Sequence, residues 1–299
     1  MKIAIYGNMY QEDYLKQLSE FLEALSQSDI KVEMESRFYN YLCRLLPQEP
    51  QVDGVIVGSD FEADMAISIG GDGTFLRTAR WVGDKEIPIL GINTGHLGYL
   101  ADITVDEMIG AVEDLKNGLY KIETRSLIEV TSSRKEAIID WNYALNEVAI
   151  LKQDTSSMIS VATKVNDVDL ATYLGDGLII ATPTGSTGYN LSVGGPIVEP
   201  TAPNWIISPI AAHSLTMRPL VVGDSHELTI TTTSRATNYR VSLDGRSVTL
   251  PVGSTIKLRK APFVTKVVQR TKHNFGETLR NKLLCLLIFI LLDVMFNIF

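Results

Sequence analysis

Cysteine is scarce in this chain: Cys43 and Cys285 are the only two in 299 residues, and they lie far apart. A disulfide framework and a zinc site built on paired cysteines are both excluded. The four histidines are scattered and form no metal-binding motif. Basic residues are also short, 27 Lys and Arg against 35 Asp and Glu, for a formal net charge of −8. Nucleic-acid binders usually carry a basic excess, so no nucleic-acid partner is expected. The apolar run at Met1–Gly7 is too short for a signal-peptide core, and the cytoplasm is the expected compartment. There is no P-loop, because no Gly-Lys-Ser/Thr closes a glycine run, and the Gly-x-Gly-x-x-Gly dinucleotide fingerprint is not met either.

What the chain does have is Ile67-Ser68-Ile69-Gly70-Gly71-Asp72-Gly73-Thr74-Phe75-Leu76. A β-prone apolar run enters three glycines and one carboxylate, and a helix is expected from about Thr74 to Trp81. Such a loop brings bare backbone N–H groups and a helix N-terminus to a ligand, which suits polyphosphate. Asp72 is the odd residue, since a carboxylate beside phosphates is repelled unless it takes a proton or organises a metal. On its own the stretch also fits a tight helix-capping turn with Asp72 or Thr74 as the cap.

The surrounding pattern is α/β. Strands are expected at Lys2–Tyr6, Met65–Ile69 and Ile87–Ile92, and Leu15, Leu18, Leu22 and Leu25 recur at helical spacing. Thr104 to Glu107 matches a capping box that opens a helix running to about Lys116. Such alternation implies a mainly parallel sheet with ligands at the strand C-terminal ends, where both Gly70–Gly73 and Asn93–Gly98 fall. Beyond Tyr120 short β-rich runs follow closely: 127–131, 137–141, 147–151, 158–165, 168–173, 178–181, 227–232, 239–243 and 255–258, with a hairpin turn at Asn166-Asp167. The expected organisation is an α/β domain over 1–100, a β-rich domain over 101–265 and a C-terminal segment over 266–299 that packs back on the first. Leu283–Phe299 is almost wholly apolar but short for a membrane span, and Asp293 interrupts it. A peripheral or packed terminal helix is the favoured reading over a membrane anchor.

A second constellation runs from Gly175-Asp176-Gly177 through Thr182-Pro183-Thr184-Gly185-Ser186-Thr187-Gly188-Tyr189-Asn190-Leu191-Ser192. It leads from a strand into a loop dense in hydroxyls and glycines, with Tyr189 able to stack on a planar ring. Asn146-Glu147 opens another strand; such a pair can bond a base edge or a ribose. His96 and His213 are candidate substrate contacts, though each fits a structural role better.

Taken together, these segments resemble the NAD kinase family. The resemblance is carried by Gly-Gly-Asp-Gly-Thr at 70–74, Gly91–Gly98, Asn146-Glu147 and Asp176 to Pro196, in the family's order. It implies phosphate transfer from ATP, or from inorganic polyphosphate, to the adenosine ribose 2′-hydroxyl of NAD, giving NADP. Asp72 would be the general base, with Gly73, Thr74 and Arg77 beside it. Asn146 and Glu147 would hold the NAD ribose and nicotinamide side. Asp176, Thr184, Thr187, Gly188, Tyr189, Asn190, Leu191 and Ser192 would complete the dinucleotide site, partly across a subunit boundary in a homodimer or homotetramer. A divalent cation, usually magnesium, would accompany the donor. Leu174 stands where several relatives carry arginine, Gly188 where many have alanine, and Arg246 is a further, weaker candidate. The glycine loop alone also occurs in diacylglycerol-type lipid kinases, which makes a lipid kinase the alternative.

Overall fold

The computed structural model describes residues 1–282 apart from 29, 96, 97, 102, 135–139, 155, 156, 272–274 and 281. The expected His96, the first part of the strand at 137–141 and the apolar tail 283–299 lie outside the described residues. The chain forms two compact units.

The first unit comprises Met1–Glu123 and the segment that begins at Lys266. Its elements are β1 (Lys2–Gly7), α1 (Leu15–Ser26), β2 (Lys31–Glu35), α2 (Ser36–Leu45), β3 (Gly54–Ile56), β4 (Met65–Ile69), α3 (Asp72–Val82), β5 (Ile89–Asn93), β6 (Ile103–Thr104) and α4 (Met108–Lys116), after which β7 (Tyr120–Ser132) leaves the unit. The strands are parallel in the order β5-β4-β1-β2-β3, with β6 beside β5. All five residues of β4 are buried, as befits a parallel strand covered on both faces. Leu18, Phe21, Leu22 and Leu25 of α1 share one helix face and pack with Ile3, Ile5 and Ile67. Met108, Ala111, Val112 and Leu115 of α4 join the same core. That corrects the expected boundary at 100: the apolar stripe of α4 has its partners in the first unit, so residues 101–123 fold with it. The capping box is present, as the Glu107 carboxylate accepts from Thr104 N–H at 3.0 Å.

The second unit, Thr124–Thr265, is antiparallel throughout. It holds the rest of β7, then β8 (Tyr143–Ala144), β9 (Glu147–Lys152), β10 (Ile159–Val165), β11 (Val168–Gly175), β12 (Gly177–Ala181), α5 (Tyr189–Ser192), β13 (Asn204–Ile210), β14 (Leu220–Gly223), β15 (Leu228–Thr233), β16 (Asn238–Leu243), β17 (Arg246–Pro251) and most of β18 (Thr255–Arg270). A six-stranded layer runs β14-β13-β12-β9-β16-β17, and a second layer runs β11-β10-β15-β18. Inward residues of both layers, among them Ile150, Leu178, Trp205, Val161, Tyr173 and Ile230, form one core. The hairpin at Asn166-Asp167 is as expected, with φ of 48° and 66°, values of a two-residue type I′ turn. On β12 the opposite face is buried as well, Ile179 and Ala181 packing with Ile206. Five buried residues in a row make β12 a rigid support for the loop that follows it. The short helix α6 (Phe275–Leu279) lies beyond β18 in the first unit.

Candidate functional site

In the first unit the glycine loop leaves the C-terminal edge of β4. Gly70 N–H donates to Ile92 O of β5 at 2.9 Å, and Asn8 N–H, just after β1, donates to Ile69 O at 2.9 Å. The loop is therefore pinned from both sides before α3 begins. A Cβ at Gly71 would meet nothing within 4 Å, and one at Gly73 only the tip of Arg77 at 3.9 Å. Packing does not demand glycine at either position. What glycine supplies is uncovered backbone in front of the N-terminus of α3, an arrangement that attracts anions. Arg77 lies one turn along, its Nη2 donating to the buried Thr74 Oγ1 at 3.0 Å. This places a guanidinium on the helix's first turn.

Asp72 is not simply a bare carboxylate facing solvent. Its Oδ2 accepts from Tyr99 N–H at 2.8 Å and its Oδ1 from Leu100 N–H at 3.0 Å. A Cβ at Gly98 would stand 2.6 Å from Asp72 Oδ1, so glycine lets that segment close on the carboxylate. Each carboxylate oxygen keeps further acceptor capacity. The Tyr99 phenol is pushed up to about 12, first by burial and then by the Asp72 charge.

In the second unit three adjacent strands of the six-stranded layer bring a cluster together at one edge. Ala181, the last residue of β12, pairs with Glu147, the first of β9, and Leu243, the last of β16, pairs with Val148. Thr182 N–H donates to Asn146 O at 2.9 Å, and Thr182 Oγ1 to Leu145 O at 2.5 Å. These bonds hold the hydroxyl-rich loop against Asn146-Glu147. The loop then turns through a 3-10 segment at Thr184–Thr187 into the four residues of α5. Gly185 lies directly on the Asn146 peptide: a Cβ there would be 2.0 Å from Asn146 O.

Three buried side-chain atoms in this cluster have no hydrogen-bond partner among the described residues: Asn146 Oδ1, Glu147 Oε2 and Thr184 Oγ1. Buried polar atoms are normally paired, and leaving one unpaired costs about 1–3 kcal/mol. Three together make this edge a candidate for a polar ligand. Burial, reinforced by the neighbouring Asp244 and opposed by a hydrogen bond from Tyr189 N–H, pushes the Glu147 carboxyl up to about 7. Tyr189 is 40 % exposed, leaving a ring face available for stacking.

The remaining expected residues fall into two groups. Thr187, Gly188 and Leu191 are partly exposed and Ser192 is exposed, so a ligand can reach them. Asp176 sits between β11 and β12 with Lys152 Nζ 2.6 Å from its Oδ1. Asn190 differs. Its side chain is fully buried, its Nδ2 donating to Ser186 O and Pro196 O and its Oδ1 accepting from Ser208 Oγ. Its amide therefore braces the loop from within. Arg246 donates to Trp141 O at 2.6 Å and Tyr143 O at 2.7 Å. His213 is exposed, with its N–H on Leu174 O. Among the described residues no three His, Cys, Asp or Glu side chains could jointly hold a metal ion. Sequence reasoning missed the Tyr99 and Leu100 amides on Asp72, and missed Asp244 altogether. Those partners are 27 or more residues away along the chain, and no local spacing points to them.

The chain matches the model of the ATP-NAD kinase N-terminal domain over residues 3–120 and that of the ATP-NAD kinase C-terminal domain over 145–270. It is similar to the NAD kinase of Bacteroides fragilis, 45% identical over 95% of this chain and 98% of the relative. Similarity to the NAD kinase of Porphyromonas gingivalis is 43% over 95% of this chain and 97% of the relative. Among solved structures it resembles an NAD kinase from Archaeoglobus fulgidus in complex with ATP, with a TM-score of 0.73 and 26% identity over 94% of this chain and 99% of that one. It also shares the fold of yeast NADH kinase complexed with NADH, with a TM-score of 0.84 over 95% of this chain and 87% of that one.

Proposed function

From the premise that this chain belongs to the NAD kinase family, we propose how its residues divide the reaction. The activity itself is phosphate transfer to NAD. The lipid-kinase alternative finds no support in relatives matched over nearly the whole chain.

The observation that carries the residue assignment is the trio of unpaired buried oxygens on Asn146, Glu147 and Thr184. A ribose offers vicinal hydroxyl donors and a nicotinamide offers an amide donor, and both suit acceptors that lack partners. On this reading Asn146 and Glu147 take the hydroxyl and amide donors of NAD. Thr184, Thr187, Gly188, Leu191 and Ser192 line the rest, Tyr189 stacks, and Asp176 accepts from a further donor. Asn190 keeps the loop in shape. The donor, ATP or polyphosphate, is the anion for the uncovered amides of Gly71 and Gly73 and the Arg77 guanidinium. Asp72, already aligned by two amides, receives the proton of the 2′-hydroxyl. Phosphoryl transfer has a loose transition state, so fixed geometry and charge neutralisation supply most of the acceleration. A divalent cation, magnesium by expectation, would neutralise donor phosphates. With no three-ligand cluster among the described residues, its other ligands would be phosphate oxygens and water.

A homo-oligomer would complete the 187–192 segment, a reading supported by the exposed apolar surface of Tyr189 and Leu174. Sedimentation of the purified chain gives the mass directly. No helix among the described residues is long and apolar enough to cross a membrane. The cytoplasm, with its ATP and NAD and its reducing conditions, is the compartment we assign.

The test is NADP formation from NAD, ATP and magnesium, read with an NADP-specific dehydrogenase as a function of pH. Glu147 is neutral in the free protein below about 7 and charged above it. As a hydroxyl acceptor it works best ionised, so KM for NAD falls as pH rises from 6 to 8, by about tenfold per unit at most. For stability the sign is opposite: a raised carboxyl pKa favours the fold below the ordinary carboxylate range, and that contribution is lost as pH rises through 7. Glu147→Gln flattens the KM profile. A profile that keeps its slope in Glu147→Gln removes this residue from the NAD site.

A further inference from the structure

We propose that Asp244 is a positioning residue of the NAD site, clamping the Leu145–Glu147 backbone so that Asn146 and Glu147 present their unpaired oxygens to the ligand. The proposal rests on the assignment of NAD to that cluster. Asp244 and Gly245 form the two-residue turn between β16 and β17, with φ of 47° and 80°, the left-handed pair of a type I′ turn. Asp-Gly is the pair such a turn favours. Here the turn aims its carboxylate back over the strand start. Oδ2 accepts from Leu145 N–H at 2.8 Å, and Oδ1 accepts from Asn146 N–H at 2.8 Å and Glu147 N–H at 3.1 Å. Asp244 N–H in turn donates to Glu147 O at 3.2 Å. Three consecutive amides converge on one carboxylate, which fixes the peptide planes on either side of Asn146 and sets the direction of both side chains.

The clamp has an electrostatic consequence. Asp244 is the charged side chain that bears on Glu147, while Tyr189 of α5 contributes only its N–H. Burial raises the Asp244 carboxyl as well, opposed by its three amide donors and by Arg246 just after the turn. Removing the Asp244 charge makes Glu147 easier to ionise.

The experiment uses the full chain with Asp244→Asn, which keeps the shape and loses one acceptor oxygen. KM for NAD rises at least tenfold, KM for ATP stays within twofold, and the melting transition remains cooperative. The pH at which KM for NAD begins to rise moves down relative to the parent. In a cycle with Asn146→Ala, the effect of Asp244→Asn on KM for NAD shrinks, because the residue being positioned is already gone. An unchanged KM for NAD overturns the proposal. So does a parallel rise in both KM values, and so does full additivity in the cycle. If Asp244→Asn does not melt cooperatively, Asp244→Ser, which retains one acceptor, replaces it under the same criteria. Failure of the underlying NAD assignment shows separately, as Asn146→Ala and Glu147→Gln that leave KM for NAD untouched.

Discussion

Asp72→Asn loses turnover by about 10²–10⁴-fold, the range general-base assistance contributes, while KM for NAD moves little. The Asp72 carboxylate also accepts the Tyr99 and Leu100 amides. An asparagine there turns one acceptor into a donor facing an N–H. An orphaned buried N–H costs about 1–3 kcal/mol, and less at a half-exposed residue such as this one. A displaced 98–101 segment is therefore a second route to lost turnover, beside the missing base. Gly98→Ala separates the two. Its Cβ would stand 2.6 Å from Asp72 Oδ1, so the 98–101 segment or the carboxylate must shift while the carboxylate's chemistry is kept. Stopped-flow or endpoint turnover of both variants, each with its melting temperature, decides the matter. If Gly98→Ala keeps the turnover that Asp72→Asn loses, the base carries the effect, and near-parental turnover in Asp72→Asn removes Asp72 from the mechanism.

Gly185→Ala is expected to be the most damaging single-methyl change in the second unit's site. The added carbon would sit 2.0 Å from Asn146 O, 2.5 Å from its carbonyl carbon and 2.8 Å from its Cα. All three are backbone atoms, so no side-chain rotation relieves the clash. Either the loop lifts off or the Asn146 peptide shifts, and both break the Thr182 N–H to Asn146 O bond. Overpacking of this kind costs about 1–3 kcal/mol of stability. KM for NAD rises at least tenfold alongside, because the same peptide carries the ligand-facing Asn146. Thermal melting with and without NAD reads both effects. A variant that melts like the parent and keeps its NAD-induced shift shows that the loop tolerates the displacement.

Much of this was legible along the sequence because the decisive signals are local. The step from β4 into α3 is written in a short apolar run followed by glycines, and the observed helix starts two residues before the expected Thr74. Strands β9, β10 and β12 fall within a residue of their expected spans. Other elements escaped for identifiable reasons. Pro209 in β13 speaks against a strand, yet the residue is accommodated opposite Leu178. The expected strand at 255–258 is the beginning of the sixteen-residue β18, whose Lys257, Arg259, Lys260 and Pro262 disguise its continuation. The short α2 follows β2 without a break, and its N-cap is Glu35, whose carboxylate accepts from Arg37 and Phe38 N–H. A long carboxylate is not an expected cap. In the site, residue types were readable but their partners were not. Nothing near Asn190 signals that its amide is spent internally, and nothing near Asp244 signals three amides about a hundred residues upstream.

The interleaving of the two units also orders events during synthesis. Residues 124–265 are contiguous and complete a unit before the ribosome reaches the chain's last portion. The first unit begins earlier but must wait, since β5 acquires β18 as a parallel neighbour, Val267 beside Ile89, only when translation is nearly finished. Until then β6 covers only Ile92 and Asn93 on that side, and the Ile89 end of β5 is left as a bare strand edge of the sort that recruits other chains. The portion made last is therefore a closing element for the portion made first, and a nascent chain interrupted just after Thr265 would leave the ribosome with its first unit open to misassembly.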